Sequence, residues 1–353
     1  MSANPSSHRI RVGISVGDLN GVGMEIVLKT LSDKRINELM TPVIFGSSSV
    51  LSFYRKQLDL KELPVRVIKD WNEIKNDQAN LYDCISDQPK IEPGQSTPQG
   101  GQYALKSLRA AADALEAGHV QALVTAPIDK HNIQSDDFKF PGHTEFLGQK
   151  FGGGQSLMIL CREEFRVALV TGHIPLSQVE SQITSQSIGA KLRLFEQSLR
   201  LDFEIRRPRI AVLGLNPHAG DQGLIGDAES KIIEPTIRKH FDEGIMVYGP
   251  YAADGFFGAQ KHLEFDGILA MYHDQGLIPF KALNFGGGIN FTAGLPVVRT
   301  SPDHGTAYDI AGKGIANEES FREALYLAKD VYVRRQRHAE AAKNPLIKQE
   351  ESK

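Results

Sequence analysis

Short β-branched runs alternate along this chain with glycine-rich turns and stretches of helical periodicity, the pattern of an α/β protein whose strands are largely parallel. Strands are expected at 10–16 (IRVGISV), 42–46, 120–125 (VQALVT), 165–171 (FRVALVT), 209–215 (RIAVLGL), 266–272 (DGILAMY) and 295–299. Helices are expected at 24–40, 102–117, 186–201, 227–243 and 318–338. The clearest is 102–117, where Leu105, Leu108, Ala111, Ala112 and Leu115 recur at spacings of three and four and Gly118 stands at the stop position. The last fifteen residues, AEAAKNPLIKQEESK, are polar and broken by Pro345, and read as a frayed, solvated tail.

Composition narrows the class. With 353 residues, 41% of them hydrophobic, the chain has material for two domains or one large one at roughly 100–200 residues each. Forty basic against 43 acidic residues leave a net charge of −3, without the basic excess of a general nucleic-acid binder, so the expected partner is a small molecule. Two cysteines, Cys84 and Cys161, without CxxC or Cys/His spacing, argue against a disulfide framework and a thiolate zinc site. The amino terminus has no long apolar signal region, and no window approaches ~20 apolar residues, so a cytoplasmic protein with no membrane partner is expected. No repeat and no proline- or serine-rich linker breaks the chain, which suits a fold that crosses between two domains and returns.

Candidate chemistry clusters at strand ends. His173 follows FRVALVT, His218 follows RIAVLGL and His273 follows DGILAMY, each where a parallel sheet places its ligand crevice. Three neutral imidazoles that converge are a catalytic ligand set for a divalent metal, zinc especially, with one position open to substrate. The spacings of 45 and 55 residues are not themselves a motif. Asp221 and Asp274 either orient these imidazoles or serve as turn residues in their DQG triplets, the turn role being favoured for Asp221. In PGHTEFL, His143 and Thr144 either bind an anion at a helix start or act as loop residue and N-cap. Lys281 and Arg299 flank Asn290 in mostly apolar surroundings, where a cation needs a partner such as a phosphate or carboxylate, unless it snorkels to the surface.

The glycines of SVGDLNGVGMEI, at 17, 21 and 23, do not form the GxGxxG of a standard Rossmann fold. The run TSPDHGTAYDIAGKGIAN (300–317) instead resembles the cofactor loop of the isopropylmalate and isocitrate dehydrogenases, which binds the adenosine end of a dinucleotide. Taken with LVTAPIDK, FPGHTEFL, LVTGHIPL, LGLNPHAGDQGLIGDAE, GILAMYHDQGLIPFKAL and GGINFTAGLPVVR, the chain is similar over residues 10–335 to the 4-hydroxythreonine-4-phosphate dehydrogenase family of pyridoxal phosphate biosynthesis.

That resemblance implies two α/β/α domains around a central cleft, isopropylmalate dehydrogenase-like: one discontinuous, 1–130 plus 285–353, with the cofactor loop, the other, 131–284, with the metal site and dimer contacts. It implies that His173, His218 and His273 hold one divalent metal (zinc, magnesium or cobalt) shared between the subunits of a homodimer. His143, Thr144, Lys281, Asn290 and Arg299 fall on substrate positions, and Asp254 lies near the reacting hydroxyl, with Asp254 or Lys281 moving the proton. His304, Gly305, Thr306, Asp309, Gly312, Gly314 and Asn317 fall on the loop for NAD or NADP. The implied reaction oxidises 4-phosphohydroxy-L-threonine to a β-keto acid that decarboxylates to 3-amino-2-oxopropyl phosphate. Alternatives are oxidation of threonate or erythronate 4-phosphate and, from other classes, a non-redox metal-dependent lyase or hydrolase or a non-catalytic phosphate-ligand sensor. The chain departs from the usual first motif, GDPAGIGPE, at Leu19, Asn20 and Met24.

Overall fold

The β-branched runs pair into one continuous sheet in a computed structural model that describes residues 9–343 except 87, 153 and 285. In chain order the strands are β1 (Arg11–Ser15), β2 (Thr41–Gly46), β3 (Val65–Ile68), β4 (Ala79–Asp83), β5 (Ala122–Thr125) and β6 (Leu157–Arg162). They continue as β7 (Phe165–Leu169), β8 (Ile210–Leu213), β9 (Val247–Tyr251), β10 (Gly267–Ala270), β11 (Ile289–Ala293) and β12 (Arg299–Pro302). The helices are α1 (Gly23–Leu31), α2 (Arg35–Leu39), α3 (Ser48–Gln57), α4 (Pro98–Glu116), α5 (His143–Lys150) and α6 (Leu176–Gln182). They are followed by α7 (Ser185–Leu201), α8 (Glu234–Asp242), α9 (Ala253–Gly258), α10 (His273–Leu283) and α11 (Glu319–Ala341).

The strand order is β3-β4-β2-β1-β5-β12-β11-β6-β7-β10-β8-β9. From β3 to β12 the strands are parallel, as they are from β7 to β9. Between these sets the pairs β12–β11, β11–β6 and β6–β7 are antiparallel. Three reversals leave the second parallel set running opposite to the first. The expectation of largely parallel strands therefore holds on the flanks and gives way at the centre.

Helices on the sheet faces explain the apolar strands. Every residue of β2, β5, β8 and β10 is buried, because a strand covered on both sides has no solvent face on which to alternate. Helix α4 packs on β1, β2 and β5, and α11 on β5, β11 and β12. Edge strand β3 keeps two exposed residues in its middle. No helix among the described residues is long and apolar enough to cross a membrane.

Several element boundaries differ from expectation. The 24–40 helix breaks at Ser32–Lys34 into α1 and α2. The strand expected at 295–299 begins only at Arg299, since Gly294 turns left-handed (φ 84°) and Pro296 has no N–H for a ladder. Helix α11 continues through Ala341, into the stretch read as a tail, and residues 344–353 lie outside the described region.

Gly101 marks the closest approach of helix to loop: a Cβ there would lie 2.0 Å from the Asn132 carbonyl oxygen. Gly148, in α5, has nothing within 4 Å of that position. Gly101→Ala should therefore lower stability by about 1–3 kcal/mol through overpacking. Gly148→Ala should be neutral or stabilising by up to about 1 kcal/mol. Urea midpoints of the two variants check the opposite signs.

Candidate active site

The antiparallel centre of the sheet is the floor of a cavity of about 290 Å³. Met158 and Leu160 of β6, Asn290 of β11, and Arg299 and Ser301 of β12 all line it, each pair two residues apart, as side chains on one face of a strand must be. Walls come from Thr125, Pro127, Ile128 and Lys130 after β5, His143 at the start of α5, His173 after β7, and His273, Leu277 and Lys281 of α10. The site thus lies over a sheet face and not only at strand ends.

Arg299 anchors it. The residue is 3% exposed, and its guanidinium donates to the Thr125 hydroxyl from Nε (3.1 Å) and Nη2 (2.7 Å) and to Thr292 Oγ1 from Nη1 (3.2 Å). Its described hydrogen-bond partners include no carboxylate, and burial pushes its pKa down to about 10. A cation buried among hydroxyls is the arrangement an incoming anion would complete.

His143 is fixed by the same residue. Nη2 of Arg299 lies 3.4 Å from its Nδ1. A neutral ring accepting there carries its proton on Nε2, which is buried and has no partner. Desolvation, then the charges of Arg299 and Lys130, hold this imidazole well below its ordinary pKa. Two more buried atoms are unpartnered, Asn290 Oδ1 and His304 Nε2, both on residues lining the cavity. Three such atoms around one cavity point to a polar ligand. Lys281 reaches it from α10, its Nζ 3.5 Å from the Asp303 carbonyl oxygen.

Two of the three candidate metal ligands meet here, with the His173 and His273 ring centroids 5.1 Å apart. Asp274 takes the orienting role: its Oδ1 lies 2.8 Å from His273 Nδ1, which leaves Nε2 for a ligand. Desolvation, Lys130 and His273 hold His173 below its ordinary pKa. His218 is elsewhere, exposed on the 217–223 turn, where His218, Ala219, Asp221 and Gln222 all have φ between 42° and 56°. Left-handed backbone at side-chain-bearing residues is strained. Buried Glu229 braces the turn, accepting from Asn216 N (2.6 Å) and Asn216 Nδ2 (3.0 Å). Among the described residues of one chain, no three histidine, cysteine or carboxylate groups come together as a metal site. Two such imidazoles, with one ring nitrogen preset, are donors that fit a divalent cation.

Thr144 and Asp254 do not line the cavity. Helix α5 starts at His143 with Gly142 as its N-cap, so Thr144 is the second helical residue and not the cap. Asp254 is exposed on α9, which packs against the 217–223 turn, so it travels with His218.

Of the loop residues, His304 and Gly305 open onto the cavity, while Thr306, Asp309, Gly312, Gly314 and Asn317 run away from it. The loop is pinned throughout. Val22 N donates to Thr306 O (3.0 Å), Gln57 Nε2 to Gly312 O (2.7 Å), and Lys29 Nζ to Gly314 O and Ala316 O (both 2.7 Å). Fully buried Glu25 accepts from Ala316 N (2.9 Å) and pairs with Lys29 (3.0 Å). Tyr308 donates to Asp18 Oδ2 (2.9 Å), a fully buried carboxylate that also accepts from Asn132 Nδ2 (2.7 Å) and Asn20 N (2.8 Å). Gly305, with nothing within 4 Å of a Cβ position, stands open beside the unpartnered His304 Nε2.

Reading the sequence passed over Asp18, Glu25, Lys29, Thr125, Lys130 and Thr292. Thr125 and Lys130 both lie in LVTAPIDK, which gave a signal as a segment but not residue by residue.

Comparison with known proteins places this geometry. Residues 38–328 match the family described as pyridoxal phosphate biosynthetic protein PdxA. The chain is 52% identical to a 4-hydroxythreonine-4-phosphate dehydrogenase of Bacteroides thetaiotaomicron, with 97% of this chain and 94% of the relative covered. The crystal structure of 4-hydroxythreonine-4-phosphate dehydrogenase from Klebsiella pneumoniae superposes with a TM-score of 0.78 at 36% identity, covering 94% of this chain and 99% of that one. A terephthalate 1,2-cis-dihydrodiol dehydrogenase from Burkholderia xenovorans gives 0.60 at 28% identity, covering 91% and 98%.

The buried neutral state of His143 has a pH signature. Its folded pKa lies below the ordinary 6.5, so as pH falls through about 6.5 the unfolded chain binds a proton that the folded chain refuses, and stability drops. His143→Gln should remove up to about 1.4 kcal/mol per pH unit from that slope below pH 6.5. Urea unfolding of both proteins from pH 7.5 to 5 measures it.

Proposed function

The chain belongs to the PdxA family of pyridoxal phosphate biosynthetic proteins, and from that membership we propose that it oxidises 4-phosphohydroxy-L-threonine with NAD or NADP in pyridoxine 5'-phosphate biosynthesis. The β-keto acid formed then loses carbon dioxide to give 3-amino-2-oxopropyl phosphate. The observation that carries this reading is the buried Arg299, without a carboxylate partner, beside the unpartnered Nε2 of His143 and two facing histidines in one cavity. Such a cavity suits a small molecule with an anionic end and a hydroxyl.

Each residue has a task in this scheme. Arg299, His143, Lys281 and Asn290 bind and orient the substrate, with Thr125 and Thr292 holding the guanidinium in place. His173 and His273 hold the divalent cation, with His218 from a second copy as third ligand. When bound, the cation would supply Lewis acidity and the nicotinamide a hydride acceptor. The 304–317 loop, on the unit formed by 1–130 and 285–353, positions the nucleotide, and Lys281 or Asp254 takes the hydroxyl proton. Asp254 shares the face of His218, so both enter from the second copy.

Exposed apolar side chains beside each histidine support that assembly. Leu176 (74% exposed), Leu224 (82%) and Ile278 (64%) stand three, six and five residues after His173, His218 and His273. Apolar groups that protrude around polar ligands suit a surface covered by another chain. The dimer is proposed to work in the cytoplasm.

Turnover tests the reading directly: purified protein with NAD, divalent metal and 4-phosphohydroxy-L-threonine should generate reduced cofactor, and turnover of threonate or erythronate 4-phosphate alone would overturn the substrate choice. His173→Ala and His218→Ala should each be inactive and metal-poor. Mixed and re-equilibrated, they should recover about a quarter of wild-type activity, because half the dimers are mixed and each has one intact site. No recovery would refute the shared site. Glu25→Gln weakens the anchor of the loop at Ala316 and should raise the NAD dissociation constant, read by calorimetry, with bound metal unchanged.

A further inference from the structure

Lys130 has no place in the scheme above, yet it lines the same cavity. Among the described residues its ammonium has no hydrogen-bond or ion-pair partner. Its charge is felt at both His143 and His173. Its stem runs beside the turn that starts α5, where a Cβ on Gly142 would lie 3.9 Å from Lys130 Cε and 3.5 Å from Glu145 Oε2, a carboxylate that forms no ion pair with it.

The backbone on either side of this free cation is unusually well held. Asp129 Oδ1 accepts from His131 N (2.8 Å), and its Oδ2 accepts from Ser96 Oγ (2.6 Å). Asn132 donates to the buried Asp18 carboxylate (2.7 Å) and to Thr97 O (3.1 Å). Gly101 of α4 lets the Asn132 carbonyl come within 2.0 Å of where a side chain would begin. Lys130 is itself exposed and lines the cavity at the same time. Fixing the main chain of a residue whose side-chain charge is unpaired prepares that charge for a ligand.

We propose that Lys130 is a further substrate-binding residue, contacting the same anionic group, the phosphate, that accepts a hydrogen bond from Nε2–H of His143. The proposal rests on the substrate class proposed above. Arg299 is buried and held in place by Thr125 and Thr292, and Lys281 Nζ lies 3.5 Å from the Asp303 carbonyl oxygen. A substrate with phosphate and carboxylate at its two ends presents two separate anions, and Lys130 supplies the mobile cation on the side of α5.

The test uses Lys130→Met and Lys130→Arg in the full-length, metal-loaded enzyme. Lys130→Met should raise KM for the phosphorylated substrate about tenfold or more, the loss expected of one charge-assisted contact, with NAD affinity and bound metal unchanged. Inorganic phosphate, titrated by calorimetry and as a competitive inhibitor, should bind Lys130→Met weaker by a similar factor. Lys130→Arg should restore most of both. Phosphate binding and KM within twofold of wild type in Lys130→Met would overturn the proposal. A raised KM with unchanged phosphate affinity would overturn the phosphate assignment in favour of the carboxylate. Should the wild type not oxidise this substrate, the proposed reaction fails, while the phosphate titration still decides for or against Lys130.

Discussion

The site is organised by one electrostatic constraint, a guanidinium buried in the middle of the sheet with hydroxyls for company. Thr125 and Thr292 satisfy the N–H groups of Arg299 without neutralising it. Removing a full charge from water without a counter-ion is costly, and the cost shows in the depressed pKa of Arg299. Everything around it conforms. His143 stays neutral because burial disfavours its charged form and a second positive charge 3.4 Å from Arg299 would also be repelled. Its remaining N–H is thereby left to face a ligand, and an anion that enters relieves the uncompensated charge at the same time as it pairs that N–H.

Holding such a site open requires a rigid frame, which a second buried charge provides. Asp18, fully buried, accepts from residues of three segments: Asn20 of its own loop, Asn132 of the wall segment, and Tyr308 of the 304–317 loop. Hydrogen bonds to the carboxylate offset its desolvation only while all three segments stay in register. One residue thus ties the cavity wall, the long loop and the first strand together. Glu25 repeats the device at the far end of the loop.

Much of this was legible in the chain. Strands β1, β2, β5, β7, β8 and β10 of the parallel flanks were foreseen because burial on both faces writes a largely apolar run. Strands β3, β4, β6, β9 and β11 were missed: β6 and β11 pair antiparallel to their neighbours, INFTA is short and turns Asn290 toward the cavity, and β3 keeps exposed residues at the sheet edge. The 295–299 strand was misplaced for a related reason. Its apolar residues precede the strand, which starts at a charged residue, and nothing local says that Arg299 is buried. Among site residues, His143, His173, His273, Lys281, Asn290, Arg299 and His304 meet in one cavity as their motifs suggested. Within one chain His218, Thr144 and Asp254 do not.

By itself the sequence determined the α/β class, the family and most of the polar groups that meet, since periodicity and motif spacing are local properties written in consecutive residues. Tertiary structure alone decided that the sheet reverses direction at its centre, that the cavity lies over those reversed strands, and that Arg299 has hydroxyls and no carboxylate against it. It also decided that His218 lies outside the cavity that His173 and His273 line. These outcomes depend on contacts between residues as far apart as Asp18 and Tyr308, 290 positions along the chain, whose energies exist only once the chain is folded.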